Sequence, residues 1–139
     1  PRVREANFRY YDPRTGHGSS LSPSIHALLA ARLGMSDVAR RYFRQGAEID
    51  LADNMGNAAG GVHMAALGGL WQAAVFGFGG VRTAPDGITL EPKLPPNWKA
   101  VRFPIRWRGE SLYVSIDAAG AALRPHEPVD PHEPVEPPE

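Results

Sequence analysis

The chain has 139 residues, 42% hydrophobic and 22% charged, with 15 basic against 15 acidic side chains and no cysteine. Those proportions suit a globular chain with one modest core, a single domain or pieces of two, and they exclude disulfide and thiolate chemistry. The most apolar stretch, residues 62–80, is interrupted by His63 and by glycines, so no membrane span is expected, and no secretory signal is visible.

Freedom from cysteine fits a reducing compartment, and a cytoplasmic location is the expectation. Charge is unevenly placed, because the stretch from Arg124 onward is strongly acidic and leaves a mild basic excess before it. Arg40, Arg41 and Arg44 read as the wet face of a helix and not as a nucleic-acid stripe, so neither nucleic acid nor membrane is expected as a partner.

In chain order, the first clear element begins at Ser22, an expected N-cap, followed by Pro23, which suits a first helical position because its missing amide would be unpaired there anyway. Ile25, Leu28, Leu29 and Leu33 recur with helical spacing up to Gly34. A second helix is expected from a Ser36 cap, with Val38, Ala39, Tyr42 and Phe43 inward and the arginines outward, forming an antiparallel pair with the first.

A third helical stretch spans Asn57 to about Phe76. Its glycines, Gly60, Gly61, Gly68 and Gly69, each cost about 1 kcal/mol of helix propensity, so close approach of a neighbouring helix or of a ligand should compensate. Trp71, Phe76 and Phe78 read as core. Asp50, Asp53 and Asn54 read as turn or cap residues, with bracing of a site as the lesser reading. Short strands follow, with turns at Pro85-Asp86-Gly87, Arg108-Gly109-Glu110 and Ala119-Gly120. Leu112, Val114 and Ile116 alternate with Tyr113, Ser115 and Asp117, the period of a strand wetted on one face. From Arg124 the chain is rich in proline and acid, repeats HEPV, and reads as a disordered tail.

The stretch RTGHGSSLSP, residues 14–23, carries the chemistry most open to reading. Amides at a helix N-terminus are unpaired and sit at the positive end of the dipole, so they attract anions. Gly18 permits close backbone approach, Ser19 and Ser20 add hydroxyl donors, and His17 or the distant His63 can supply a further donor. This is a phosphate cradle in outline, although it lacks the spacing and lysine of a Walker loop, and plain capping by the serines is the competing reading. For His63 the competing reading is a hydrogen-bonded histidine inside a helical interface. His17, His26 and His63 have no i, i+4 spacing, and no metal is expected.

The succession HGSSLSPSIHALLAARLG, YFRQGAEIDLADNMGNAAGGVHMAALGGLWQAAVFGFGG and LEPKLPPNWKAVRFPIRWRGESLYVSI resembles the C-terminal part of glycoside hydrolase family 65, over about residues 8–118. That family includes maltose, trehalose and kojibiose phosphorylases and related hydrolases. The resemblance implies an α+β chain: the last helices of an (α/α)6 catalytic barrel over residues 1–78, a small C-terminal β-sandwich region over 79–123, and the tail over 124–139. It implies that His17, Gly18, Ser19, Ser20 and His63 bind the attacking phosphate, with inorganic phosphate as co-substrate and no cofactor. The partners implied are an α-linked glucose disaccharide, phosphate and the rest of the barrel, with room for a homodimer.

Inverting phosphorolysis needs a carboxylic acid at the leaving oxygen and a nucleophile on the opposite face of the sugar. In the family that acid lies upstream of these helices, and Glu48, Glu91 and Glu110 do not stand in a matching context. The 139 residues alone are therefore expected to be inert, with apolar faces around Leu28, Trp71 and Phe76 partly exposed. The alternatives are a fragment of a hydrolase of the same family, or a module serving packing or binding.

Overall fold

The computed structural model describes residues 2–125, which form two compact units, residues 2–99 and residues 100–125. The expected tail lies outside the described residues from 126 onward, while Arg124 and Pro125 belong to a strand instead.

The first unit is helical. Helix α1 (Arg2–Tyr11) runs into a 3₁₀ turn, Asp12–Arg14, then α2 (Ser22–Arg32), α3 (Ser36–Leu51), a 3₁₀ turn at Ala58–Gly60, α4 (Met64–Gln72) and a π-helical segment, Ala73–Phe78. Strands β1 (Val81–Ala84) and β2 (Gly87–Leu90) close the unit as an antiparallel hairpin. The sequence reading missed α1, whose legible signal was the Glu5–Arg9 pair at i, i+4, joined at 2.9 Å.

Several expectations are corrected. Neither Ser22 nor Ser36 caps its helix through its side chain; each is the first helical residue, after Leu21 and Met35 respectively. The third stretch is not one helix from Asn57, because Gly61 takes a φ of 115° between the 3₁₀ turn and α4. On α2 the large residues do not form the buried face. Ile25 and Leu29 are exposed, whereas Pro23, Ser24, Ala27, Leu28, Ala30 and Ala31 are buried. Leu28, expected to be partly exposed, is only 8% accessible, while Trp71 is 51% exposed.

Small side chains explain this inversion, because they let backbones meet. A Cβ added to Gly77 would lie 3.2 Å from the Leu28 Cα, and one at Gly69 would collide with Ser24. One at Gly46 would press on Leu70 at 3.0 Å and approach Pro23 at 3.7 Å. Thus α2, α3 and α4 come together at Pro23, Gly46 and Leu70. Ser24 lies beside Gly69 and Leu28 beside Gly77, so α2 and α4 run in the same direction. The two-helix turn after α2 makes α3 antiparallel to both. The N-termini of α2 and α4 and the C-terminus of α3 therefore share one end of the layer.

At the opposite end, Phe43, Phe78 and Trp98 pack edge to face and tilted, with centroids 5.0–5.5 Å apart. The π-helical segment bonds Gly79 N–H to Ala74 O at 2.7 Å and leaves the Phe76 carbonyl to two guanidinium groups, Arg32 at 3.2 Å and Arg82 at 2.9 Å. A carbonyl released from the regular ladder is thereby satisfied.

The second unit is a three-stranded antiparallel sheet, β3 (Ala100–Trp107), β4 (Glu110–Asp117) and β5 (Gly120–Pro125), in that order. Arg108 and Gly109, with φ of 50° and 88°, make the tight turn between β3 and β4. Phe103 pairs with Val114, and both are buried. Pro104 sits on β3, an edge strand, where its missing amide costs no inner ladder bond. None of the helices among the described residues is long and apolar enough to cross a membrane.

Gly69→Ala tests the close approach directly. Pushing a methyl into Ser24 should cost about 1–3 kcal/mol, read as a lower urea midpoint, whereas Gly68→Ala, which meets open space, should not lower it.

Candidate functional site

The cradle loop begins where the 3₁₀ turn ends and finishes at the first turn of α2. Gly18 and Ser19 are exposed and Ser20 is half-buried. The Ser19 hydroxyl accepts the Leu21 amide at 3.3 Å and the Ser19 carbonyl accepts the Ser22 amide at 3.2 Å, which closes the loop onto the helix.

His17 lies differently from its neighbours. Its Nδ1 meets the Ser22 hydroxyl at 2.7 Å and its Nε2 meets the Tyr42 hydroxyl at 3.1 Å. Tyr42 donates its proton to Asp12 Oδ1 at 2.8 Å. Its oxygen is therefore the acceptor for His17 Nε2–H, and Nδ1 accepts from Ser22. This ordering needs a neutral imidazole. Burial, the neighbouring His26 and Arg41 hold the His17 pKa below its ordinary value, with Asp12 opposing them. Burial and the bond to Asp12 likewise push the Tyr42 phenol up. With both nitrogens engaged, His17 fastens the loop and contributes no free donor to an anion.

His26 completes the group. Its Nδ1–H donates to the Ser22 carbonyl at 2.9 Å, and its Nε2 lies 3.8 Å from Asp12. Ligating atoms of Asp12, His17 and His26 all lie within 4.8 Å of one another. The sequence spacing gave no reason to group them, since Asp12 precedes the loop and His26 follows it. This donor set is one a divalent ion could use, but Tyr42 already bonds Asp12 Oδ1 and His17 Nε2, and Ser22 engages Nδ1 of both histidines.

His63 stands at the entrance of α4. Asp50, in the last turn of α3, takes both of its donors: Oδ2 accepts the backbone amide at 3.0 Å and Oδ1 meets ring Nδ1 at 2.6 Å. These bonds, the ring contact foremost, hold the Asp50 carboxyl below the usual carboxylate range. An ionised carboxylate only accepts, so Nδ1 carries the proton and Nε2 points away from Asp50. Among the described residues, no hydrogen bond to Nε2 is found.

The loop and His63 therefore sit at the same end of the helical layer, each tied to α3, by Tyr42 and by Asp50. A cleft of about 1140 Å³ opens beside Asp12 and His26 of the His17 network, lined also by Phe8, Arg32 and Arg82 among others. Gly18, Ser19, Ser20 and His63 do not line it. The cleft is bounded by α1, which the sequence reading did not foresee.

Comparison with known proteins adds independent findings. Residues 1–72 match the model of the glycosyl hydrolase family 65 central catalytic domain, and residues 81–131 match that of the family's C-terminal domain. The kojibiose phosphorylase of Halothermothrix orenii is 46% identical over 114 residues, covering 82% of this chain and 15% of that enzyme. The alpha,alpha-trehalose phosphorylase of Geobacillus stearothermophilus is 40% identical over 117 residues, 84% of this chain and 15% of the relative. A solved structure, "Putative kojibiose phosphorylase from human microbiome", superposes with a TM-score of 0.75 at 37% identity, over 83% of this chain and 17% of that one. The chain spans about 15% of the length of the curated relatives it matches.

The neutral state of His17 is open to measurement. Its ring carbon proton should titrate by NMR with a midpoint below about 6.5, the ordinary imidazole value. Because the unfolded chain binds this proton first, His17 should lower folding stability as the pH falls below that value and leave it unaffected above.

Proposed function

This chain belongs to glycosyl hydrolase family 65, and on that premise we propose that it supplies the phosphate-binding part of an inverting disaccharide phosphorylase. The reaction is attack by inorganic phosphate on the anomeric carbon of an α-linked glucoside, releasing β-glucose 1-phosphate and the second sugar. Phosphate is already a nucleophile. The site has to place and hold it rather than activate it, which calls for donors and not for a base.

The observation that carries this reading is the pairing of two features at one end of the helical layer. One is the Gly18-Ser19-Ser20 loop, exposed at Gly18 and Ser19 and fastened from behind by His17. The other is His63, turned by Asp50 so that Nε2 faces away. Gly18, Ser19, Ser20 and His63 are the residues that touch phosphate in this proposal, and His17 serves them by fixing the loop. A hydrolase of the same fold would need a carboxylate set to activate water. Among the described residues the carboxylate that reaches the His17 network is Asp12, and Tyr42 already donates to it.

The general acid comes from the remainder of the barrel. Glu48 pairs with Arg44 on the outside of α3, Glu91 pairs with Arg82, and Glu110 lies exposed at the β3–β4 turn. Within the proposal, residues 1–78 belong to the catalytic barrel, 79–123 to the C-terminal β domain and 124–139 to a tail. The barrel's other helices cover the exposed stripes Leu21, Ile25, Leu29 and Met64, Leu67, Trp71. An α-linked glucose disaccharide and phosphate are the substrates, no cofactor is needed, and the setting is cytoplasmic.

The test is a chimera in which this chain replaces the matching segment of the Halothermothrix orenii kojibiose phosphorylase. Incubated with disaccharide and phosphate, it should release β-glucose 1-phosphate, seen by phosphorus NMR. Removing the ring aimed at the reacting anion, by His63→Ala, should lower turnover by about 100-fold or more. Free glucose formed at the same rate without phosphate would overturn the reading. The 139 residues alone should give no turnover.

A further inference from the structure

His63 is held by one carboxylate at two points, and the two contacts have different chemical consequences. The backbone amide bond to Asp50 Oδ2 fixes where α4 begins. The ring bond to Oδ1, at 2.6 Å, decides which nitrogen carries the proton. With Nδ1–H committed to Asp50, neutral His63 shows only a lone pair at Nε2. It can then accept a hydrogen bond from an anion that carries a proton but cannot donate one. Nε2 becomes a donor only when the ring holds a second proton, and the resulting positive charge is balanced by Asp50 behind it.

We propose that Asp50 is the positioning residue of the anion site and that it makes phosphate binding at His63 proton-linked. The inference rests on the phosphate reading above and adds to it a named residue and a form of regulation by pH. The surroundings of His63 suit it. Helix α4 carries no charged side chain, and the segment 52–62 carries only Asp53, whose carboxylate accepts the Ala58 amide at 2.8 Å. On α3, Glu48 is paired with Arg44. On α2, His26 is tied to Ser22. Asp50 is the charged group in contact with the ring among the described residues.

Asp50→Asn separates positioning from support. The amide oxygen still accepts the His63 backbone N–H, so the start of α4 is kept. Its NH₂, however, faces Nδ1 and requires a lone pair there, which moves the proton of the neutral ring to Nε2. Nitrogen-15 NMR of the ring in the 139-residue chain should show Nδ1–H in the unaltered neutral form and Nε2–H in the variant.

Inorganic phosphate, titrated against both across a pH series, should bind the unaltered chain about tenfold tighter than the variant where the His63 ring carries both protons, because a charge-assisted bond replaces a neutral one. That ratio should shrink as the pH rises, because the variant keeps its Nε2 donor. Taking the ratio cancels the ionisation of phosphate itself.

An unaltered ring that is Nε2–H when neutral, or an affinity ratio independent of pH, would overturn the proposal and reduce Asp50 to a support for α4. Should the variant fail to fold, calorimetry on the unaltered chain in two buffers of unlike ionisation heat decides instead. Proton uptake on binding sulfate, which carries no titrating proton at these pH values, supports the proposal, and binding without uptake refutes it. If the tautomers behave as expected but neither anion shifts the His63 signals, the phosphate assignment of His63 fails, and with it the proton linkage.

Discussion

The arrangement of the helical unit depends on how closely α2 can approach α4 and the π-helical segment that follows it. Ser24 against Gly69 and Leu28 against Gly77 are contacts in which one partner has no side chain. A methyl at Gly69 or Gly77 would push the helices apart, and the start of α2 would move away from α4. Each such glycine lowers local helix propensity by about 1 kcal/mol. The interhelical packing that the bare backbone permits offsets this cost, and it keeps the cradle loop and His63 at one end.

Two histidines at that end have been given opposite tasks by their neighbours. His17 faces a phenol, a serine hydroxyl and a second imidazole, and Arg41 lies over the Tyr42 ring at 5.1 Å. Burial, His26 and Arg41 favour the neutral ring, Asp12 opposes them, and Tyr42 stands between Asp12 and His17. His63 instead meets a carboxylate directly at 2.6 Å. The first ring is built to hold a loop still and the second to present a nitrogen. α3 supplies the controlling partner in both cases, Tyr42 in its middle and Asp50 near its end, two turns apart on a helix whose outer face carries the arginines.

Membership of the family and the geometry of these helices point the same way, yet they carry different content. The matches identify kin among disaccharide phosphorylases and cover a small share of each. The geometry shows His17 bonded to Ser22 and Tyr42 and His63 bonded to Asp50, and in the proposed site the first holds the loop and the second meets the anion. The large cleft shares Asp12 and His26 with the network around His17, but neither the Gly18-Ser19-Ser20 loop nor His63 lines it.

The sequence by itself determined what local chemistry decides: the α2–α3 pair around Gly34, the glycine-bearing turns of the strand region, the outward arginines of α3, and the cradle residues with His63 as candidates. It misread which face of α2 meets a neighbour, although on α3 Ala39 and Tyr42 are buried as expected. Ile25 and Leu29 looked like core because they are large, but apart from Leu28 the buried face of α2 is made of small residues, Pro23, Ser24 and three alanines, since close approach rewards small volume. Ser22 looked like a cap, but its hydroxyl is drawn to His17, five residues back. Asp12 and His26 had no periodic relation to His17, and Asp50 lies 13 residues from His63 across a loop. Only the tertiary structure could join them, because a hydrogen bond is settled by a few tenths of an ångström in space, and separation along the chain carries no information at that scale.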